Sequence, residues 1–372
     1  MKLIDRGYIF DAEKATGPFR VCSFIGLCRL SSGAVLSSFR LGSGKDTADA
    51  NCRVEQSDDN GKTWRMISDG FDRKSEGVDG EIRETDLMEL EDGSPAAFIT
   101  WIDRSAGTAL YNADTDSILP SRLLLARSNT DGTWQSGQRL QTAELTGAVL
   151  TGPCVHIPGK GHLAFFENFE HKTGGAQSIH SAHALFSQDG QSFDTVINVA
   201  RHDEDKLFYW DQRHAICPKT GRLVGMFWTY DRKQEHDMDI HIAWGDPETL
   251  TWEKPFSTGI KGQITAPIPL PDGRLLAFYV HRHHPGSMRL IASHDSGKTW
   301  DHDSEVVVYD SVAEREPEMN GQSNFGQVWE DMASWFFGHP TGVVLDEQTV
   351  LLSYYGGPND KCLSVHWAKI LV

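Results

Sequence analysis

The chain has 372 residues, 39% of them hydrophobic and 23% charged, a balance that excludes an intrinsically disordered protein. Its formal net charge of −17 makes nucleic acid and anionic lipid poor partners, because such a surface repels phosphate. With 35 Gly and 11 Trp, the composition suits short, aromatic-rich strands joined by tight turns.

The first residues, MKLIDRGYIFDAEK, lack the apolar stretch of a signal peptide. No later run approaches the ~18 apolar residues of a membrane helix, so a cytoplasmic location is expected. The six cysteines, Cys22, Cys28, Cys52, Cys154, Cys217 and Cys362, are scattered and read as reduced, buried thiols. The first strong strand signal is 33–40 (GAVLSSFR), and a turn at 57–64 (SDDNGKTW) follows. Next come a strand at 92–101 (DGSPAAFITW) and a second turn at 128–134 (SNTDGTW). A strand at 161–167 (GHLAFFE) precedes the turn at 187–193 (SQDGQSF). The run 209–214 (YWDQRH) leads into a strand at 221–228 (GRLVGMFW) and a degenerate turn at 245–252 (GDPETLTW). A strand at 272–279 (DGRLLAFY) and the turn at 293–300 (SHDSGKTW) complete a fifth unit. A sixth strand spans 346–355 (DEQTVLLSYY), and 364–372 (SVHWAKILV) reads as the last. No amphipathic helix of length is expected.

A turn and strand that recur about every 60 residues indicate a ring of repeated sheets. The predicted fold is all-β, a six-bladed β-propeller formed by one domain over 1–372. An N-terminal strand and the C-terminal strand together close the ring. In the turn SxDxGxTW the Asp carboxylate accepts backbone N–H groups and the Gly takes a positive φ, while the Trp covers the loop. Asp59, Asp189 and Asp295 are therefore read as structural acids.

These turns are Asp boxes, and the chain resembles the sialidase (neuraminidase) superfamily over nearly its whole length. The resemblance implies an exo-acting glycoside hydrolase that removes a terminal acidic sugar and needs no cofactor or metal. Phe19-Arg20-Val21 is similar to the family's opening strand, which makes Arg20 a ligand for the substrate carboxylate. Phe39-Arg40 matches the end of the first blade's strand, and Asp46, six residues on, is the candidate acid/base, with Asp49 as fallback. In the fifth blade Arg282 matches a carboxylate-binding arginine, with Arg289 second. The sixth-blade stretch 337–346 places His339 where the family carries its Tyr nucleophile. In the fourth blade Asp211 and Arg213 lie near the expected acidic position, and Trp228 lies near the expected Arg.

The residues themselves add to this reading. Arginines converging on a central pocket are costly unless they bind an anion, and guanidinium forks match carboxylates. Asp46 could protonate a leaving oxygen if partial burial raised its pKa. Tyr209 and Trp210 offer faces for a sugar ring, with Asp211 and Arg213 beside them. Glu167 is the candidate second carboxylate for two-carboxylate glycoside hydrolysis. Tyr354 and Tyr355 are expected to pack. The run 281–284 (HRHH) invites a metal reading, but adjacent residues of a strand point to opposite faces. Two rival functions share the fold: a lyase or uronate-processing enzyme with His339 as base, and a glycan-binding propeller without catalysis.

Overall fold

A computed structural model describes residues 1–107, 109–129, 131–143, 145–171, 178–283, 286–311 and 325–372. The described residues are nearly all β. The expected turn-and-strand units become antiparallel meanders, each with the expected strand in second place. The first runs Val21–Arg29, Val35–Gly42, Asn51–Ser57 and Arg65–Ser68. The second runs Glu81–Glu89, Pro95–Ile102, Ser121–Arg127 and Gln138–Arg139. In the third, Ala148–Leu150 and Val155–Ile157 share the partner Gly161–Glu170, followed by Ile179–Ser187 and Thr195–Ala200. The fourth runs Leu207–Ile216, Leu223–Asp231 and His241–Asp246, with Thr251–Trp252 and Phe256–Ser257 at its edge. The fifth runs Thr265–Pro269, Leu275–His281, Ser287–Ser293 and Asp301–Asp310. The sixth runs Phe337–Val344, Thr349–Asn359 and Cys362–Leu371, and its outer strand is the N-terminal Lys2–Phe10.

The first strand of each meander touches the first strand of the next, and the sixth touches the first. The core lies between neighbouring sheets. In Pro95–Ile102, Ala97 and Ile99 pack toward the first sheet, while Ala96 and Phe98 pack toward the third. Both faces are buried, which explains a continuous apolar run rather than an alternating one.

The recurrent turn has the expected bonding. Asp59 Oδ1 accepts from the backbone N–H of Lys62 and of Thr63, both at 2.9 Å, and Trp64 Nε1 donates to Gly61 O at 3.1 Å. Gly61 has φ +84°, and a Cβ there would sit 2.8 Å from Leu351. The turn at Ser293 repeats this, with Thr299 N donating to Asp295 Oδ1 at 2.8 Å. All six cysteines are unpaired.

One element departs from expectation. A helix, α1 (Phe325–Ser334), lies between the fifth and sixth meanders. Its ten residues are too few to be stable alone, so its own sequence signal is weak and packing of its apolar side holds it.

Candidate active site

The first strands of four of these meanders carry one extra residue. Ser23 pairs with Arg40 and Gly26 with Ser38, so Phe24 and Ile25 together oppose Phe39. In the same way the ladder shifts between Ile82 and Glu84, between Trp210 and Arg213, and between Gly338 and Thr341. Such bulges re-aim a side chain out of the ladder. The residues re-aimed are Phe24, Arg83, Asp211 and His339, and all four line one cavity of about 290 Å³. Phe24, Asp211 and His339 have φ of 52°, 44° and 55°, a left-handed backbone uncommon outside Gly and frequent at functional sites.

Asp46 enters the cavity from the loop after Val35–Gly42. Its Oδ1 accepts from Arg83 (3.1 Å) and from Arg104, and its Oδ2 from the N–H of Leu110 (2.9 Å). Burial raises the Asp46 carboxyl, but the charge of Arg83 and the bonds from Arg104 and Leu110 more than reverse this. The carboxyl ends below its usual range. Behind it Glu81, fully buried, accepts from Arg40 (2.8 Å), Arg83 (3.4 Å) and Arg104 (2.7 Å). Burial likewise raises Glu81, and the three arginines bring it below the usual range.

For the other carboxyls of the cavity the balance is opposite. Burial, helped by the Glu167 charge, pushes Asp211 up to about 7 against the pull of Arg213. Burial pushes Glu167 up to about 8. Glu84 is raised well above the usual range by burial and by the charge of Asp86. Glu167 Oε2 accepts from the backbone N–H of Asp211 (3.2 Å) and lies 3.0 Å from His180 Nε2. The N–H of Tyr209 points at His180 Nδ1 (3.3 Å), so Nδ1 is the acceptor and the neutral ring carries its proton on Nε2. Oε2 thus holds two donors, and a protonated Glu167 carries its proton on Oε1.

His339 follows the same logic. Arg213 Nη2 lies 2.8 Å from His339 Nδ1, and a guanidinium only donates, so Nδ1 accepts. Burial first, then the charges of Arg213, Lys45, Arg282 and Arg83, hold the ring neutral. Its proton is therefore on Nε2, 3.9 Å from Asp211 Oδ1. The walls are aromatic: Phe24, Tyr111, Phe169, Trp210, Trp228 and Trp335.

Of the residues singled out from sequence, Asp46, Glu167, Trp210, Asp211, Trp228, Arg282 and His339 line this cavity. Arg213 is buried behind His339 and Asp211. Three others differ from expectation. Arg20 is not on the cavity wall; it donates to Ala12 O at 2.8 Å and lies against Cys362. Arg40 is fully buried, and Glu81, Gly44 O and Thr47 O take its donors, so it braces the Asp46 loop and faces no ligand. Tyr209 packs between the third and fourth sheets, because its neighbour Trp210 takes the cavity side of the strand. The fallback residues also lie elsewhere: Asp49 accepts from Ser43 N and Thr47, and Arg289 pairs with Glu305 at 3.1 Å.

Tyr355, expected only to pack, also lines the cavity; Lys45, Arg83, Glu84 and Trp335 line it without having been anticipated, and Arg104 and Glu81 stand behind it. The available signal was the run Glu81-Ile-Arg-Glu-Thr-Asp86, whose charges crowd a strand that the repeat requires to be internal. In the run 281–284, His284 lies outside the described residues. Among the described residues no three His, Cys, Asp or Glu side chains converge as a metal site needs.

No protein-family model matches the sequence, and no curated protein does. Solved structures do match. A protein of unknown function from Dyadobacter fermentans has 17% identity and a TM-score of 0.72, covering 100% of this chain and 99% of that one. A Hadza microbial sialidase has 15% identity and a TM-score of 0.68, covering 99% and 68%. An α-L-arabinanase from Penicillium chrysogenum, complexed with arabinobiose, has 14% identity and a TM-score of 0.63, covering 99% and 98%. At such identities the likeness is one of fold, that of the sialidase and arabinanase propellers.

Proposed function

We propose that this chain is an exo-acting glycoside hydrolase, a six-bladed propeller with Asp-box turns forming one domain over 1–372. The observation that carries the reading is the pairing, in one cavity, of an ionised carboxylate with protonated ones. Asp46 is held as an anion, whereas Asp211 and Glu167 keep their protons near neutral pH. Two carboxyl groups driven to opposite protonation states are what glycoside hydrolysis needs.

Asp211 is the general acid. Its side chain is 17% exposed against 7% for Glu167, and a pKa of about 7 suits proton transfer to a leaving oxygen at neutral pH. Burial is the main cause that keeps Asp211 protonated, with the neighbouring Glu167 carboxyl acting in the same direction. Asp46 stabilises the positive charge that develops on the sugar ring and takes the proton of the incoming water. Trp210 and Trp228 give the ring apolar faces to rest on.

The favoured substrate is a terminal sugar without a carboxylate. A three-arginine carboxylate clamp is not supported, since Arg20 and Arg40 are engaged elsewhere and Phe24 and Trp228 stand on the cavity wall. The similarity to an arabinanase agrees with this choice. A terminal acidic sugar is the second reading, favoured by Arg83 and Arg282 on the wall and by the similarity to a sialidase. The lyase reading loses support, because the lone pair of His339 Nδ1 already accepts from Arg213.

The test is fluorophore release from a panel of aryl glycosides: neutral pentofuranosides and hexopyranosides beside an aryl sialoside. Release from neutral members that disappears in Asp46→Asn supports the favoured reading. Release only from the sialoside supports the second. Glycan binding without release from any member would leave a binding propeller.

A further inference from the structure

We propose that α1 makes the cavity single-ended and so enforces exo action, and that Lys45 is the positioning residue that latches α1 in place. The exo part of this inference rests on the glycosidase reading; the latch does not.

Helix α1 forms one wall of the cavity, to which it brings Trp329, Glu330, Met332 and Ala333, with Trp335 just beyond its end. Val328, Trp329 and Met332 pack on the core of the fourth to sixth sheets. The last carbonyls of any helix need donors from elsewhere, and α1 has no basic residue in its own last turn. Lys45 supplies them from the first sheet's loop. Its Nζ donates to Met332 O at 2.7 Å, to Trp335 O at 3.0 Å and to Tyr355 Oη at 2.9 Å. An ammonium has three donors, and all three are engaged. The charge also lies at the negative end of the helix dipole. Beyond the latch, Trp335 is fixed between Trp228, 5.8 Å away, and the Arg282 guanidinium, 4.0 Å from its ring centre.

Lys45 is the chain neighbour of Asp46. Arg40 brackets the pair by donating to Gly44 O at 2.7 Å and Thr47 O at 2.9 Å. One braced loop therefore presents the carboxylate and closes the wall. A terminal sugar residue fits against that wall with its linked chain leaving through the open mouth. An internal residue, with chain on both sides, would collide with α1.

The test is Lys45→Met, which keeps the aliphatic stem and removes the donors. Amide hydrogen exchange in α1 is expected to quicken about 10-fold while the sheets exchange as before. An oligosaccharide blocked at both ends, of the linkage that the wild type cleaves in aryl form, is expected to resist the wild type and be cut by the variant. KM for the aryl glycoside is expected to rise with kcat nearly kept. Unchanged exchange would overturn the latch. Faster exchange with no internal cleavage and the same KM would overturn the role of α1 in exo action. If the wild type cleaves no aryl glycoside, the glycosidase reading and the exo assignment fall together, and exchange alone still decides the latch.

Discussion

Two carboxylate clusters meet at the cavity, and burial acts on both in the same sense. On one side Asp46 and Glu81 share Arg83 and Arg104, Arg40 adds a third guanidinium to Glu81 alone, and both carboxyls end below the usual range. On the other side Glu84, Glu167 and Asp211 share the pull of Arg213, and all three are raised. The number of guanidinium partners, not burial, decides which carboxyl keeps its proton. One side is thereby a permanent anion and the other a proton store.

The comparison can be broken at its reactive end. Asp211→Asn is expected to lower kcat by roughly 10²–10⁴-fold on glycosides with poor leaving groups, and far less on activated aryl glycosides. An equal loss on both would show that Asp211 is not the acid. It can also be broken at its buried anchor. Glu81→Gln leaves three arginines facing one another and should cost about 3–5 kcal/mol, measured by urea unfolding. A variant as stable as the wild type would mean that Glu81 does not hold the cluster.

Two gentler changes sharpen it. Glu167 binds its proton more tightly folded than unfolded. As pH rises from the ordinary carboxylate range, the unfolded chain releases this proton first. The stability it contributes is thus complete at low pH and lost as pH climbs through about 8. Glu167→Gln is expected to gain about 1–3 kcal/mol over the wild type at alkaline pH and little in mild acid, read from unfolding at both. Arg83→Met removes one of the cations that lower Asp46. The acid limb of the rate profile should then move to higher pH while the alkaline limb stays. An unmoved acid limb would detach that limb from Asp46.

Much of the architecture was legible because its signals are local. A Ser, Asp, Gly and Trp at fixed spacing make the turn at Asp59 or Asp295 without outside help, and the strand after each β-turn follows from its run of apolar residues. The site was legible in part. Asp46, Glu167 and Arg282 reach the cavity from the late part of a second strand or the loop after it, whereas Asp211 and His339 reach it from bulges in first strands. Arg20 and Arg40 misled because a guanidinium is read correctly only with its partner, and Glu81, 41 residues from Arg40, is not visible from Arg40's surroundings. Helix α1 escaped notice for a related reason. It makes only about three turns, and the side chain that satisfies its last carbonyls, Lys45, is 287 residues away from Met332.

The bulges have a consequence for how such a pocket can be altered. A residue in a bulge stands outside the ladder, so exchanging it leaves the pairing of its sheet intact. The left-handed backbone at positions 24, 211 and 339 nevertheless filters what can be placed there. Asn, Asp, His and Gly are tolerated, while β-branched side chains are not. Asp211 and His339 belong to the tolerated set. Phe24 stands outside that set, but redesign of specificity through positions 211 and 339 draws on a small alphabet of compact polar residues, and that alphabet is rich in acids, bases and hydrogen-bond donors.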